Sequence, residues 1–181
     1  VWTRGKYGKG MLFDATDDDI SLGTSSTLDF GTAATLEAWI YPTSYGEGNY
    51  GAIFARNPTA LGGYELELIN DGAGTGHTAG LDLNGGGQDI TAGVDNIISL
   101  NTWQHVAVSI GSGTAKFYVN GKLVGSGSFT LSTTGANTAY IGSLDGNGDT
   151  FGGTIDQVKV YNYARSLSQI AWDYNRGGPI G

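Results

Sequence analysis

The chain contains no cysteine, which excludes disulfide staples, thiolate catalysis and cysteine-based zinc sites together. Proline is almost as scarce, at 3 of 181 residues, and that argues against a collagen-like or disordered chain. Basic residues are few: Lys and Arg number 9 against 17 Asp and Glu, for a formal charge of −8. Without a basic stripe to neutralise phosphates, the sequence excludes nucleic acid as a partner, and an anionic membrane surface with it. No apolar run approaches the ~18 residues of a membrane span, so no membrane insertion is expected. No signal peptide is visible at Val1-Trp2-Thr3, and the chain reads as a module of a larger multidomain protein whose targeting segment lies elsewhere.

What is abundant is glycine, at 32 residues, beside an aromatic content of 11%. Interior glycines each cost a helix about 1 kcal/mol, so this composition points to short strands joined by tight turns. The alternation agrees. Val106, Val108 and Ile110 share one face against His105, Ala107 and Ser109. Phe117 and Val119 oppose Lys116 and Tyr118, and Leu66 and Leu68 oppose Glu65 and Glu67. Asn120-Gly121 tolerates positive φ at both positions and predicts a type I′ hairpin. About twelve such strands, including Thr35 to Tyr41, Trp103 to Ile110, Ala115 to Asn120 and Thr154 to Tyr161, predict an antiparallel two-sheet sandwich or jelly roll. One helix is expected at the end, with Ser166 as N-cap, Leu167, Ile170 and Tyr174 on one face, and Gly177 as its stop. Residues 1–181 read as a single module, with 177–181 the start of a linker.

Four segments carry a resemblance. They are Gly5-Lys6-Tyr7-Gly8-Lys9-Gly10-Met11-Leu12-Phe13-Asp14 with Asp17-Asp18-Asp19-Ile20; Ala34 through Pro42; Trp103-Gln104-His105-Val106-Ala107-Val108 leading through Phe117 to Asn120-Gly121; and Gly153 through Leu167. In that order they resemble the laminin-G-like domains of the concanavalin A-like lectin/glucanase superfamily, of the bacterial secreted or surface type. Ala15 stands where that pattern has a glycine, Asp19 where it has an aromatic and Gln157 where it has an acid. The resemblance implies an all-β, two-sheet antiparallel jelly-roll β-sandwich with one short C-terminal helix. It also implies an extracellular setting, a structural calcium and binding of glycans or other surface molecules. It does not imply catalysis.

The residues of the enzymatic relatives are missing. Glu65-Leu66-Glu67 places two acids on one face, but the third acid of a Glu-x-Asp-x-x-Glu strand is absent, and the pair reads as solvated strand residues. Gln104 and His105 are adjacent, hence on opposite faces, which breaks a Gln-x-His lyase strand. His105 reads as a cross-strand partner and His77 as an exposed loop residue. No catalytic residue is assigned, and the chain is expected not to be an enzyme.

Hard oxygen ligands suit calcium. Asp156 shares an alternating face with Val158 and Val160, where a carboxylate needs a partner. Asp14, Asp17 and Asp18 crowd one acidic turn. The resemblance carries a Ca²⁺ site onto Asp14, Asp17, Asp18 and Asp156. A second candidate is the loop Asp145, Asn147, Asp149, which opens like a calcium loop but has Thr150 where glycine is required. For a sugar, Trp and Tyr supply stacking faces. Trp39 and Trp103 read as sheet packing, and Trp172 and Tyr174 as anchors of the helix. Tyr45 and Tyr50, in a Gly-rich loop with no burial pattern, are the candidate ligand residues, with Arg56 reaching the same end. The expected function is non-catalytic binding of a neutral or weakly charged polysaccharide by a secreted or cell-surface protein. The alternative is a protein-interaction, adhesion or spacer module of a bacterial surface protein.

Overall fold

The computed structural model describes residues 1–56, 63–72, 77–131 and 137–176, so the expected linker at 177–181 lies outside the described residues. The strands are β1 (Trp2–Arg4), β2 (Lys9–Asp14), β3 (Ile20–Gly23), β4 (Ala34–Pro42), β5 (Tyr50–Arg56), β6 (Tyr64–Ile69), β7 (Gly80–Gly85), β8 (Gln88–Thr91), β9 (Gln104–Gly111), β10 (Thr114–Val119), β11 (Lys122–Ser128), β12 (Ala139–Ile141) and β13 (Gly152–Tyr161), followed by helix α1 (Leu167–Arg176). They form a seven-stranded sheet in the order β1-β2-β13-β4-β9-β10-β11 and a six-stranded sheet in the order β3-β12-β5-β6-β7-β8. Each pairing is antiparallel. The expected jelly-roll sandwich with one C-terminal helix is the observed fold.

Alternation places the core. Leu36, Ala38 and Ile40 from β4, Val106, Val108 and Ile110 from β9, and Phe117 from β10 meet Phe54, Leu66, Leu68, Leu81 and Leu83 from the other sheet, all essentially sealed from solvent. Each of the larger of these side chains contributes about 1.5–3 kcal/mol of burial. The Asn120-Gly121 turn has φ of 50° and 72°, as a type I′ hairpin requires.

Two sheet faces remain outside the core. Helix α1 covers part of the outer face of the seven-stranded sheet by packing Ile170 on Ala107 and Tyr118. Its start is a capping box: the Gln169 N–H donates to Ser166 Oγ at 3.3 Å and the Ser166 N–H donates to Gln169 Oε1 at 2.9 Å. Trp39, 4% exposed, is held there between Tyr7 at 5.8 Å and Tyr174 at 5.6 Å. Trp172 is 54% exposed and so is not buried as an anchor.

One residue of the acidic turn is out of its preferred conformation. Ala15, where the laminin-G-like pattern has glycine, sits at φ 62°. A side chain there costs roughly 1–2 kcal/mol, while a glycine would add roughly 0.4–1 kcal/mol of unfolded-state entropy. Ala15→Gly is therefore expected to stabilise the fold by about 0.5–1 kcal/mol, read as a rise of ~2 °C in thermal unfolding. No rise, or a fall, would mean that the turn relaxes around Ala15 without strain.

Candidate functional site

The structure does not bring Asp14 and Asp156 together. Asp14 pairs with Gly152 at the start of β13, four residues before Asp156, a separation of about 13 Å at strand rise. Both carboxylates already have backbone donors. Asp14 Oδ1 accepts the N–H groups of Thr16 at 2.9 Å and Asp17 at 3.4 Å, an Asx turn. Asp156 accepts the N–H of Tyr7 at 2.9 Å and of Gln157 at 2.7 Å, and Gly5 packs so tightly there that a Cβ would lie 2.5 Å from Asp156 Oδ2. Asp156 thus pins the β1–β2 hairpin. Nor does it share a face with Val158 and Val160. A one-residue bulge between Asp156 and Lys159, with Gln157 at φ 50°, breaks the alternation. Asp156 pairs with Trp39 on the outer face while Val160 pairs with Leu36 of the core. Asp17 is exposed and Asp18 half-exposed in the same turn. The four residues do not make one cation site.

The predicted ligand residues separate as well. Tyr50 opens β5 and Arg56 closes it, about 20 Å apart at strand rise. Arg56 is 2% exposed, donates to the Ser25 carbonyl at 3.0 Å and pairs with Asp29 at 2.7 Å. It fastens the 3₁₀ turn at Ser26–Leu28 and does not face a ligand. Tyr45 packs against the core and directs its hydroxyl at the Ile98 carbonyl, 3.5 Å away. Tyr50 remains accessible. Its hydroxyl donates to Asp71 Oδ2 at 2.6 Å, and Asp71 in turn holds His77 Nδ1 at 2.9 Å.

Tyr50 leads to the arrangement that the register builds on the outer face of the six-stranded sheet. Tyr50 lies opposite Ile69, Ala52 opposite Glu67 and Ala55 opposite Glu65. Across β6, Glu67 meets Asp82 and Glu65 meets Asn84. Beyond β7, Asn84 meets Asp89, and on the far side of β5, Ala55 meets Tyr140. Directly paired residues share a face. The outer face therefore carries a rung Tyr140–Ala55–Glu65–Asn84–Asp89 beside a rung Ala52–Glu67–Asp82, with Tyr50 at the end of the next. The segment between β12 and β13 folds over these rungs. Gly146 packs on the Tyr140 ring, the Ala52 N–H donates to the Asp149 carbonyl at 2.7 Å, and Asp149, at φ 49°, joins Glu65 and Glu67. A recess of about 300 Å³ opens between Glu65, Asn84, Asp89, Leu144 and Asp149.

Glu65 and Glu67 were expected in solvent; they are 2% and 1% exposed, and Asp82 is 1% exposed. Ligand oxygens of Glu65, Glu67 and Asp149 all lie within 4.8 Å of one another. Asn84 Nδ2 donates to Glu67 Oε1 at 2.5 Å, but Glu65 Oε1, Glu67 Oε2 and Asp82 Oδ1 have no hydrogen-bond partner. Burial pushes the Glu65 carboxyl up to about 8, with the charges of Asp149, Asp82 and Asp145 adding to it. Burial, then Glu65 and Asp149, push Glu67 up to about 9. Asp82 is pushed to about 9 by burial and by Asp89, and Asp149 is raised by burial and by Glu47 and Asp145. Of the second predicted metal loop, only Asp149 takes part. Asp145 is exposed and accepts the Asn147 N–H at 3.0 Å in its own Asx turn, and Asp156, at the twelfth position of that loop, is committed to Tyr7.

This constellation had a signal in the sequence. Glu65-Leu66-Glu67-Leu68 and Leu81-Asp82-Leu83-Asn84 show the same alternation in two consecutive strands, so hairpin pairing must set acid against acid on one face. Like charges in register are unfavourable unless proton or cation neutralises them.

A family model described as the concanavalin A-like lectin/glucanases superfamily, of laminin G type, matches residues 14–171. No curated protein matches the sequence. Similar solved structures include domain 4 of an extracellular GH43 arabinanase from Geobacillus stearothermophilus in complex with arabinotriose, at 20% identity and a TM-score of 0.73, covering 94% of this chain and 79% of that one. Another is the CBM40 of the Ruminococcus gnavus IT-sialidase bound to α2,3-sialyllactose, at 16% identity and a TM-score of 0.71, covering 90% of this chain and 95% of that one. A putative carbohydrate-binding protein from Bacteroides ovatus is similar at 20% identity and a TM-score of 0.68, over 90% of this chain and 45% of that one. At these identities the structures share the fold, and the family match over most of the length places this chain in the laminin-G-like group of the concanavalin A-like lectin/glucanase superfamily.

Proposed function

We propose that this domain is a non-catalytic carbohydrate-binding module of an extracellular protein, and that the sugar lies on the outer face of the six-stranded sheet. The observation that carries the reading is the recess of about 300 Å³ on a face bordered by two half-exposed tyrosines, Tyr50 and Tyr140. Aromatic faces stack on sugar C–H surfaces, and the Asn84 and Asp89 side chains, across the same face on β7 and β8, offer planar partners for hydroxyls. The similar arabinanase domain and the CBM40 were both solved with oligosaccharides, which supports the reading. The non-catalytic part rests on access. Hydrolysis needs two carboxyl groups that flank a glycosidic bond, and Glu67 at 1% exposure admits no bond beside it. A formal charge of −8 favours a neutral or weakly charged polymer, since acidic polymers are repelled over a Debye length of about 8 Å.

A panel of plant, algal, fungal and bacterial glycans tests this. Retention is expected on at least one neutral polysaccharide and should depend weakly on salt. Tyr50→Ala and Tyr140→Ala should each weaken it by about 1 kcal/mol, a factor of roughly five in Kd, without unfolding the protein. Retention unchanged in both variants would move the site off this face. No retention on any glycan would favour a protein-interaction module, and released reducing sugar would make the domain an enzyme.

A further inference from the structure

We infer that Glu65, Glu67 and Asp149 form a binding site for a single divalent cation, of calcium's size and hardness, on the outer face of the six-stranded sheet. The donors are all carboxylate oxygens, the chemistry of a hard cation. Their convergence also fits: one oxygen of each side chain lies within 4.8 Å of the others, close enough for all three to reach one cation at a Ca–O distance of about 2.4 Å. Calcium accepts such an oxygen-only set in irregular geometry, whereas magnesium demands a near-ideal octahedron at about 2.1 Å and gives up its waters reluctantly.

A second observation is independent of the clustering. Glu65 Oε1 and Glu67 Oε2 have no hydrogen-bond partner, although these side chains are 2% and 1% exposed. An isolated buried carboxylate oxygen is costly and is retained where something neutralises it. Among the described residues no basic group does so. The charges that act on Glu65 are those of Asp149, Asp82 and Asp145, and those on Glu67 are Glu65, Asp149 and Asp89, all of them acidic. In the seven-stranded sheet the buried acids are answered. Glu37 has Arg165 and His105 within 3.2 and 3.4 Å, and Asp156 has two N–H donors. Because Glu65 and Asp149 also line the recess, a cation there has an entry path from solvent, and positions left open would take water. Asp149 is held at φ 49°, and its carbonyl is tied to β5 through Ala52. This fixes the third ligand over the two glutamates.

The experiment requires no glycan. The chain is stripped with chelator and titrated with CaCl₂ or MgCl₂ by calorimetry in two buffers of different ionisation enthalpy, and thermal unfolding is followed in parallel. One calcium is expected per chain, with proton release on binding and a rise of roughly 5–10 °C in Tm at a hundredfold excess over Kd. Glu67→Gln and Asp149→Asn should each reduce the affinity at least tenfold, while Asp14→Asn and Asp145→Asn leave it unchanged. Glu67→Gln and Asp149→Asn both keep shape and remove charge, so the variants are expected to fold, and a far-UV spectrum confirms it. Absence of heat and of any Tm shift with calcium would overturn the site. So would a shift that survives Glu67→Gln, one that is lost in Asp14→Asn or Asp145→Asn, or an equal response to magnesium.

Discussion

Replacing Arg165 by methionine should destabilise the domain by about 3–5 kcal/mol, which is the expected cost of removing one partner from a buried ion pair. Arg165 precedes the helix and is 9% exposed. Its guanidinium lies 3.2 Å from Glu37 Oε1, donates to Asp173 of α1 and to the Gln169 carbonyl at 3.1 Å, and stacks 4.2 Å over the Tyr161 ring. One planar group therefore ties the sheet to the helix through fixed donors that lysine could not reproduce. Glu37, 1% exposed on the outer face of the seven-stranded sheet, would keep only His105 at 3.4 Å and Lys159 of the neighbouring strand would be left with Asp173. The loss is a large fraction of a domain's usual 5–15 kcal/mol. Urea unfolding measures it. Arg165→Lys should fall between wild type and Arg165→Met, and the double variant Glu37→Met with Arg165→Met should recover most of the loss, because it leaves no buried charge unpaired. A loss below about 1 kcal/mol would mean that the network behaves as a surface ion pair.

That network shows what the sequence could and could not disclose. The sandwich was legible because its core follows period two without interruption in the central strands. Val106, Val108 and Ile110 and the Leu66–Leu68 pair were expected on one face and are found in the core. Asn120-Gly121 and the Ser166 cap are local chemistry, and both take their expected forms. The site was less legible because it depends on events that alternation does not encode. A single bulge at Gln157 moves Asp156 from the core side to the outer face, and with it goes the reason for expecting a cation beside Asp14. Arg56 lies at the wrong end of β5 for Tyr50, which strand length alone could have revealed. Glu65 and Glu67 have the spacing of solvated residues, yet the segment between β12 and β13 folds across that face and sets Asp149 beside them. Long-range coverage of this kind leaves no periodic trace. The register of β6 on β7 does leave one, in the acids that face each other as Glu67 and Asp82.

Without a cation, the stability of the domain should fall as pH rises from about 5 to 9. In the unfolded chain the carboxyls of Glu65, Glu67 and Asp82 titrate near 4. In the native state burial holds them up at about 8, 9 and 9. Between these limits the native state binds more protons than the unfolded state, so ν_U − ν_N is negative and stability declines with pH. The contribution is complete below about 4 and gone above about 9, the reverse of the usual surface-carboxylate behaviour. Each proton held only by the native state gives a slope of about 1.4 kcal/mol per pH unit. The groups that face these acids give no relief: Asn84 on β7 is neutral, Asp89 on β8, Asp145 and Asp149 are acidic, and the β5 positions opposite Glu67 and Glu65 are alanines. In chelator-containing buffers, wild type should therefore lose Tm steadily across this range. Glu67→Gln, which cannot ionise, should flatten the decline and be more stable than wild type above pH 7. The difference between the two isolates the site from the general repulsion of a chain with net charge −8. Calcium should oppose the decline increasingly with pH, since it binds the deprotonated acids. Equal slopes for wild type and Glu67→Gln would show that these carboxyls ionise in the native protein without cost, and would remove the need for a neutralising ion on this face.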